Sequence, residues 1–79
     1  SPGEQQHYDR LTREALARAR GLLRQLQGRR LTADQKAGLD RILTFIRQAE
    51  ELRGRDLVQA SSLAARAAVL ARDLAASVR

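Results

Sequence analysis

An all-α fold, an antiparallel up-down-up three-helix bundle, is what this sequence predicts, and three observations carry the prediction. Leu, Ile and Ala recur at alternating spacings of three and four through three separate stretches, the rhythm of one buried helix face. Gly28 and Gly54 fall between those stretches, where a residue free to turn left-handed ends a helix cheaply. The connections at Gly28–Leu31 and Gly54–Arg55 are short enough to force consecutive helices to lie antiparallel.

The first helix is expected over residues 5–27, after a disordered tail or trimmed linker remnant at residues 1–4. Tyr8, Leu11, Ala15, Ala19, Leu22 and Leu26 form its stripe, with Leu16 and Leu23 one heptad apart on the flank. At about 100° per residue they span an arc of roughly 140°, the width of a core-facing surface. Asp9 with Arg13 and Glu14 with Arg18 add acid-first i,i+4 pairs, each contributing a few tenths of a kcal/mol. Gly28 closes the helix, and Arg29 and Arg30 follow beside the negative end of its dipole.

The second helix, residues 33–53, opens on a capping box of Thr32 and Gln35, with Asp34 at the positive end of the dipole. Leu39, Ile42, Leu43, Ile46, Ala49 and Leu52, edged by Phe45, cover a wider arc of roughly 160°. That width suits the middle member of the bundle. Gly54 is expected to end this helix as Gly28 ends the first.

The third helix, residues 57–78, starts at a second box of Asp56 and Gln59 and carries Ala60, Leu63, Ala67, Leu70, Leu74 and Val78 on one side. Beside that stripe lies a strip of small residues, Ala65, Ala68, Ala75 and Ala76 with Leu57 and Val69, interrupted by Arg72. It admits two readings: a face on which another protein or a second copy packs closely, or neutral helix-forming surface.

A chain of 79 residues holds one domain and one modest core, and is too short to add an enclosed substrate cleft of ordinary size. With one Tyr, one Phe and no Met, Cys or Trp, the core must be aliphatic, and stability is on the order of 5 kcal/mol. The absence of Cys assigns no compartment. No apolar run approaches the ~20 residues that span a bilayer, so no integral membrane segment is expected, while an export signal or lipid anchor ahead of Ser1 stays open.

The run IRQAEELRGRDLVQASSLAARAAVLARDL, residues 46–74, resembles a tetratricopeptide-like helical hairpin. Ala49 is the small residue of its first helix, Gly54 and Asp56 make the turn, and Ala60, Ala64 and Ala67 follow on the second. The Trp, Gly and Tyr of that pattern are absent. With the preceding LLRQLQGRRLTADQKAGLDRILTFI, the whole chain is similar to short helical domains of uncharacterised bacterial envelope lipoproteins. That likeness implies an interaction domain on the periplasmic side of the envelope and transfers no catalytic residue; without it, a cytoplasmic location is expected.

Chemistry is sparse. His7 is the only histidine, Ser61 and Ser62 have no base nearby in sequence, and Glu50 and Glu51 point about 100° apart on a helix. The glycines are scattered singly, so no phosphate loop exists. No catalytic residue, cofactor or metal is therefore expected, and the chain is read as a non-enzymatic protein-interaction or assembly module with a protein partner or a second copy of itself.

The net charge of +6 comes from fourteen Arg and one Lys against nine acids. The preference for Arg over Lys is what a GC-rich coding sequence would produce, but positive excess still favours acidic partners. Arg10, Arg13, Arg20 and Arg24 lie within roughly 80° of one another on the first helix, and Arg29 and Arg30 continue the row. The alternative function is nucleic-acid binding along that row. Candidate partner-binding residues are these six arginines with Ala65, Ala68, Arg72 and Ala75.

Overall fold

Each helix begins at a side-chain oxygen that satisfies one of the free N–H groups of its first turn. The computed structural model describes residues 1–79 and forms the expected all-α, up-down-up bundle: α1 spans Pro2–Gln25, α2 Ala33–Leu52 and α3 Leu57–Ser77. Ser1 Oγ accepts from Glu4 N at 3.3 Å, and Pro2 occupies the first helical position, where a missing N–H costs nothing. Residues 2–4 are thus the first turn of α1 rather than a tail. The Thr32 box forms in both directions, Gln35 N donating to Thr32 Oγ1 at 3.1 Å and Thr32 N to Gln35 Oε1 at 2.9 Å. At Asp56 only the forward half forms, Gln59 N donating to Asp56 Oδ1 at 3.1 Å.

The helix ends differ from one another. Gly28 adopts φ 76°, the left-handed conformation anticipated for it. Gly54 does not. Arg53 stays helical at φ −56° and ψ −33°, and the chain leaves α2 through Arg55 N and Asp56 N, which both donate to Leu52 O, at 2.9 and 2.7 Å. Two tight right-handed turns deliver Asp56 directly to its capping position, so no left-handed residue is needed there.

Twelve buried residues form one core cluster, and seven of them are Ala: Ala15, Ala19, Ala49, Ala64, Ala67, Ala68 and Ala71. This composition decides which helix is central. α3 approaches both other helices closely, whereas the backbones of α1 and α2 are near each other at hardly any point. Width of apolar arc suggested α2 as the middle member, and the structure corrects this. The alanines of α3 have nothing beyond Cβ to hold a neighbour away, while Leu16, Ile42 and Ile46 keep α1 and α2 apart. The result is an elongated bundle of 45 × 16 × 16 Å with α1 and α3 parallel.

Within α1 the buried face is turned from the expected stripe towards Thr12, Ala15, Leu16 and Ala19, leaving Leu11 38% exposed. Thr12 is fully buried yet satisfied, because its Oγ1 donates to Tyr8 O at 2.8 Å. No buried side-chain polar atom lacks a partner. A tie across the bundle comes from Gln35, whose Nε2 donates to Ser77 O at 3.1 Å and pins the start of α2 to the end of α3.

Candidate protein-interaction surface

Because the inner face of α3 is taken by Ala60, Ala64, Ala67, Ala71 and Leu74, the opposite face must meet solvent. Along it run Val58, Ser62, Ala65, Val69, Arg72 and Ala76, all exposed, at spacings of four and three in strict alternation. On a helical projection they fall within roughly 80°, a second heptad seam on the same helix. Val58 is 56% exposed and Val69 48%, large values for β-branched apolar side chains in so small a domain.

Two grooves flank this ridge. On the α2 side, a groove of about 360 Å³ is lined by Arg41, Phe45, Ala65, Arg66, Val69 and Leu70. The Arg66 guanidinium sits over the Phe45 ring, 4.8 Å from its centroid, and so covers the one phenylalanine of the bundle. On the α1 side, a groove of about 310 Å³ is lined by Arg18, Leu22, Ala65, Ala68, Val69 and Arg72. Neither groove has an acidic lining residue. Asp73 is the only acid within α3, and it lies 3.5 Å from Arg72.

The α3 residues anticipated as a docking strip divide accordingly. Ala65 and Arg72 are exposed on the ridge and its α1-side groove. Ala68 is not on the outer strip: at 8% exposure it belongs to the core, although its edge reaches the α1-side groove. Ala75 is half-buried and packs against the core. Their projection lies between the inner and outer faces, and the close approach of α1 covers them.

The arginine row of α1 has a different environment from an open cationic track. Arg13, Arg20 and Arg24 share a shallow cleft with Arg53, the residue that follows α2. Two acids are embedded in this seam. Asp9 accepts from Arg53 at 3.1 Å and from Arg13 at 3.0 Å, and Arg20 pairs with Glu50. The Arg53 hydrogen bond, followed by that of Arg13, holds the Asp9 carboxyl below its ordinary range. Arg10 lies 3.9 Å from Glu14. Glu50 therefore reaches across to α1, and Glu14 meets Arg10 rather than the anticipated Arg18. Arg24, Arg29 and Arg30 make no ion pair, and Arg29 and Arg30 stand exposed beyond the end of α1. Within the row only Arg20 pairs across to α2, while Asp9, held by Arg13, adds the second tie through Arg53.

Sequence reasoning did not pick out Val58, Phe45, Leu22, Arg18, Arg41 or Arg66 as a group. The signal that could have found them is the double seam of α3: a helix with two apolar stripes at heptad spacing cannot bury both in a three-helix bundle. No three His, Cys, Asp or Glu side chains converge as metal ligands would. No helix is long and apolar enough to cross a membrane. Comparison with known protein families, curated proteins and solved structures gives no match to the chain.

Proposed function

We propose that this chain is a non-enzymatic protein-interaction module that presents the outer face of α3 to another protein. The observation that supports the reading is the exposed apolar seam through Val58, Ala65 and Val69, whose stretch from Ala65 to Val69 lies between two grooves with Phe45 and Leu22 in their walls. Exposed β-branched residues in register with small ones present a surface that another element can cover by close packing. Of the α1 arginines, Arg20 ties α1 to α2 through Glu50, and Arg13 holds Asp9, which also accepts from Arg53.

A photo-crosslinking residue placed at Val69, with a control at exposed Arg47 on α2, tests this in the cells that produce the protein. A discrete protein adduct from position 69 and none from position 47 is the expected result. Equal adducts from both positions, adducts to nucleic acid alone, or none at all would overturn the reading.

A further inference from the structure

We infer that the occupant of the α3 face is an acidic amphipathic helix of another protein; this rests on the interaction reading and names the partner's chemistry. Three features point there. The alternating spacing of the seam matches the side-chain rows of a second α-helix, and its reach from Val58 to Ala76 spans about 27 Å at about 1.5 Å per residue step. Ala65 allows the two backbones to approach closely, while the flanking grooves of about 360 and 310 Å³ receive branched apolar side chains from the incoming helix. The charged residues that line these two grooves are all arginines, Arg41 and Arg66 on one side, Arg18 and Arg72 on the other, with Asp73 beside Arg72; the acids Glu4 and Asp56 lie only at the Val58 end of the seam.

Charge separates this occupant from the others. A second copy would set one ring of arginines against another in a chain already carrying +6, and like charges across a closing interface are repelled. Nucleic acid would satisfy the arginines but leave Val58 and Val69 against phosphate and sugar. An acidic helix with Leu or Val along one side and Glu on both flanks satisfies the seam and the rims together.

The test uses two synthetic helices of 21 residues, the length of α3, sharing a Leu/Ala seam and differing only in carrying Glu or Lys on the flanks. The Glu peptide is expected to bind the whole chain at low salt and to weaken about tenfold or more when salt screens the rims. Val69→Glu should abolish that binding, and Arg66→Glu with Arg72→Glu should transfer preference to the Lys peptide. All three positions are exposed, and thermal melting verifies that the variants stay folded. Equal binding of both peptides, binding indifferent to Val69→Glu, tighter binding of random duplex DNA, or no binding of the Glu peptide at low salt would overturn the inference. If the Glu peptide fails while position 69 still crosslinks to a protein, only the acidic-helix assignment falls. Loss of both removes the interaction reading itself.

Discussion

Ala65 and Ala67 stand two positions apart on α3 and face opposite worlds: Ala67 is fully buried between helices, while Ala65 faces solvent on the ridge. Their identical side chains therefore predict unlike responses to the same change. Ala67→Leu must force extra methyl groups into a contact closed at Cβ distance, and should cost roughly 1–3 kcal/mol. For a domain of this size that lowers Tm by about 4–8 °C per kcal/mol. Ala65→Leu should stay within about 0.5 kcal/mol of the parent. Urea denaturation measures both, and equal losses would show that the two faces of α3 have been assigned wrongly. A second residue-scale prediction concerns Asp9, whose carboxyl is held low by Arg53 and then Arg13. A depressed folded-state value means that its contribution is complete above the unfolded carboxylate range and disappears as pH falls through the depressed value. Asp9→Asn should therefore lower stability at neutral pH, with the difference from the parent closing in strong acid. A difference in urea midpoint that persists unchanged in strong acid would mean that the carboxylate charge is not its source.

At the scale of the element, the starts of α2 and α3 were legible to the residue, whereas the start of α1 was placed three residues late and the exit from α2 was misread. Thr32 with Gln35 and Asp56 with Gln59 announce their caps because a cap is a local matter of one side chain reaching one turn ahead. Gly28 and Gly54 look alike in sequence, yet only Gly28 needs its freedom, since the conformation of a turn depends on where the next helix must begin. This difference makes the two glycines testable against each other. Gly28→Ala places a Cβ at φ 76° and should destabilise by about 1 kcal/mol. At Gly54 an added Cβ meets nothing within 4 Å, so Gly54→Ala should leave stability unchanged or raise it by about 0.4–1 kcal/mol through a stiffer unfolded chain. Thermal melts of the pair decide it: a large loss at Gly54 would contradict the right-handed exit from α2. The double role of Gln35, capping α2 while donating to Ser77 O, lay outside sequence reach because the second half joins residues 42 positions apart.

For the whole molecule, periodicity and loop length were enough for the topology, whereas the packing order of the helices was hidden. Arc width measures how much apolar surface a helix offers; side-chain size measures how near a neighbour can come, and near approach is what made α3 the centre. The same reasoning explains why the outer seam was recognised only in part, Ala65, Val69, Arg72 and Ala76 within the anticipated strip and Val58 and Ser62 outside it, since an Ala-rich helix advertises packing on every side until its neighbours are placed. A central helix has a consequence for motion. α3 cannot open without breaking its contacts with both α1 and α2, while α1 and α2, whose backbones stand apart, meet through side chains that include the Arg53–Asp9 and Arg20–Glu50 pairs. Exposed pairs of this kind contribute little and are screened by salt. Native-state hydrogen exchange should therefore find the amides of Ala64, Ala67 and Ala71 exchanging only by global unfolding, with protection set by a stability on the order of 5 kcal/mol. The first turns of α1, where residues 1–7 are all exposed, should open locally at a small fraction of that cost. Raised salt should leave α3 protection in its place at the top of the ranking, because its contacts are apolar. If the middle of α3 exchanged faster than Ala15 and Ala19 of α1, the bundle would not be organised around its third helix, and the outer face of α3 would lose the rigid support that a docking surface requires.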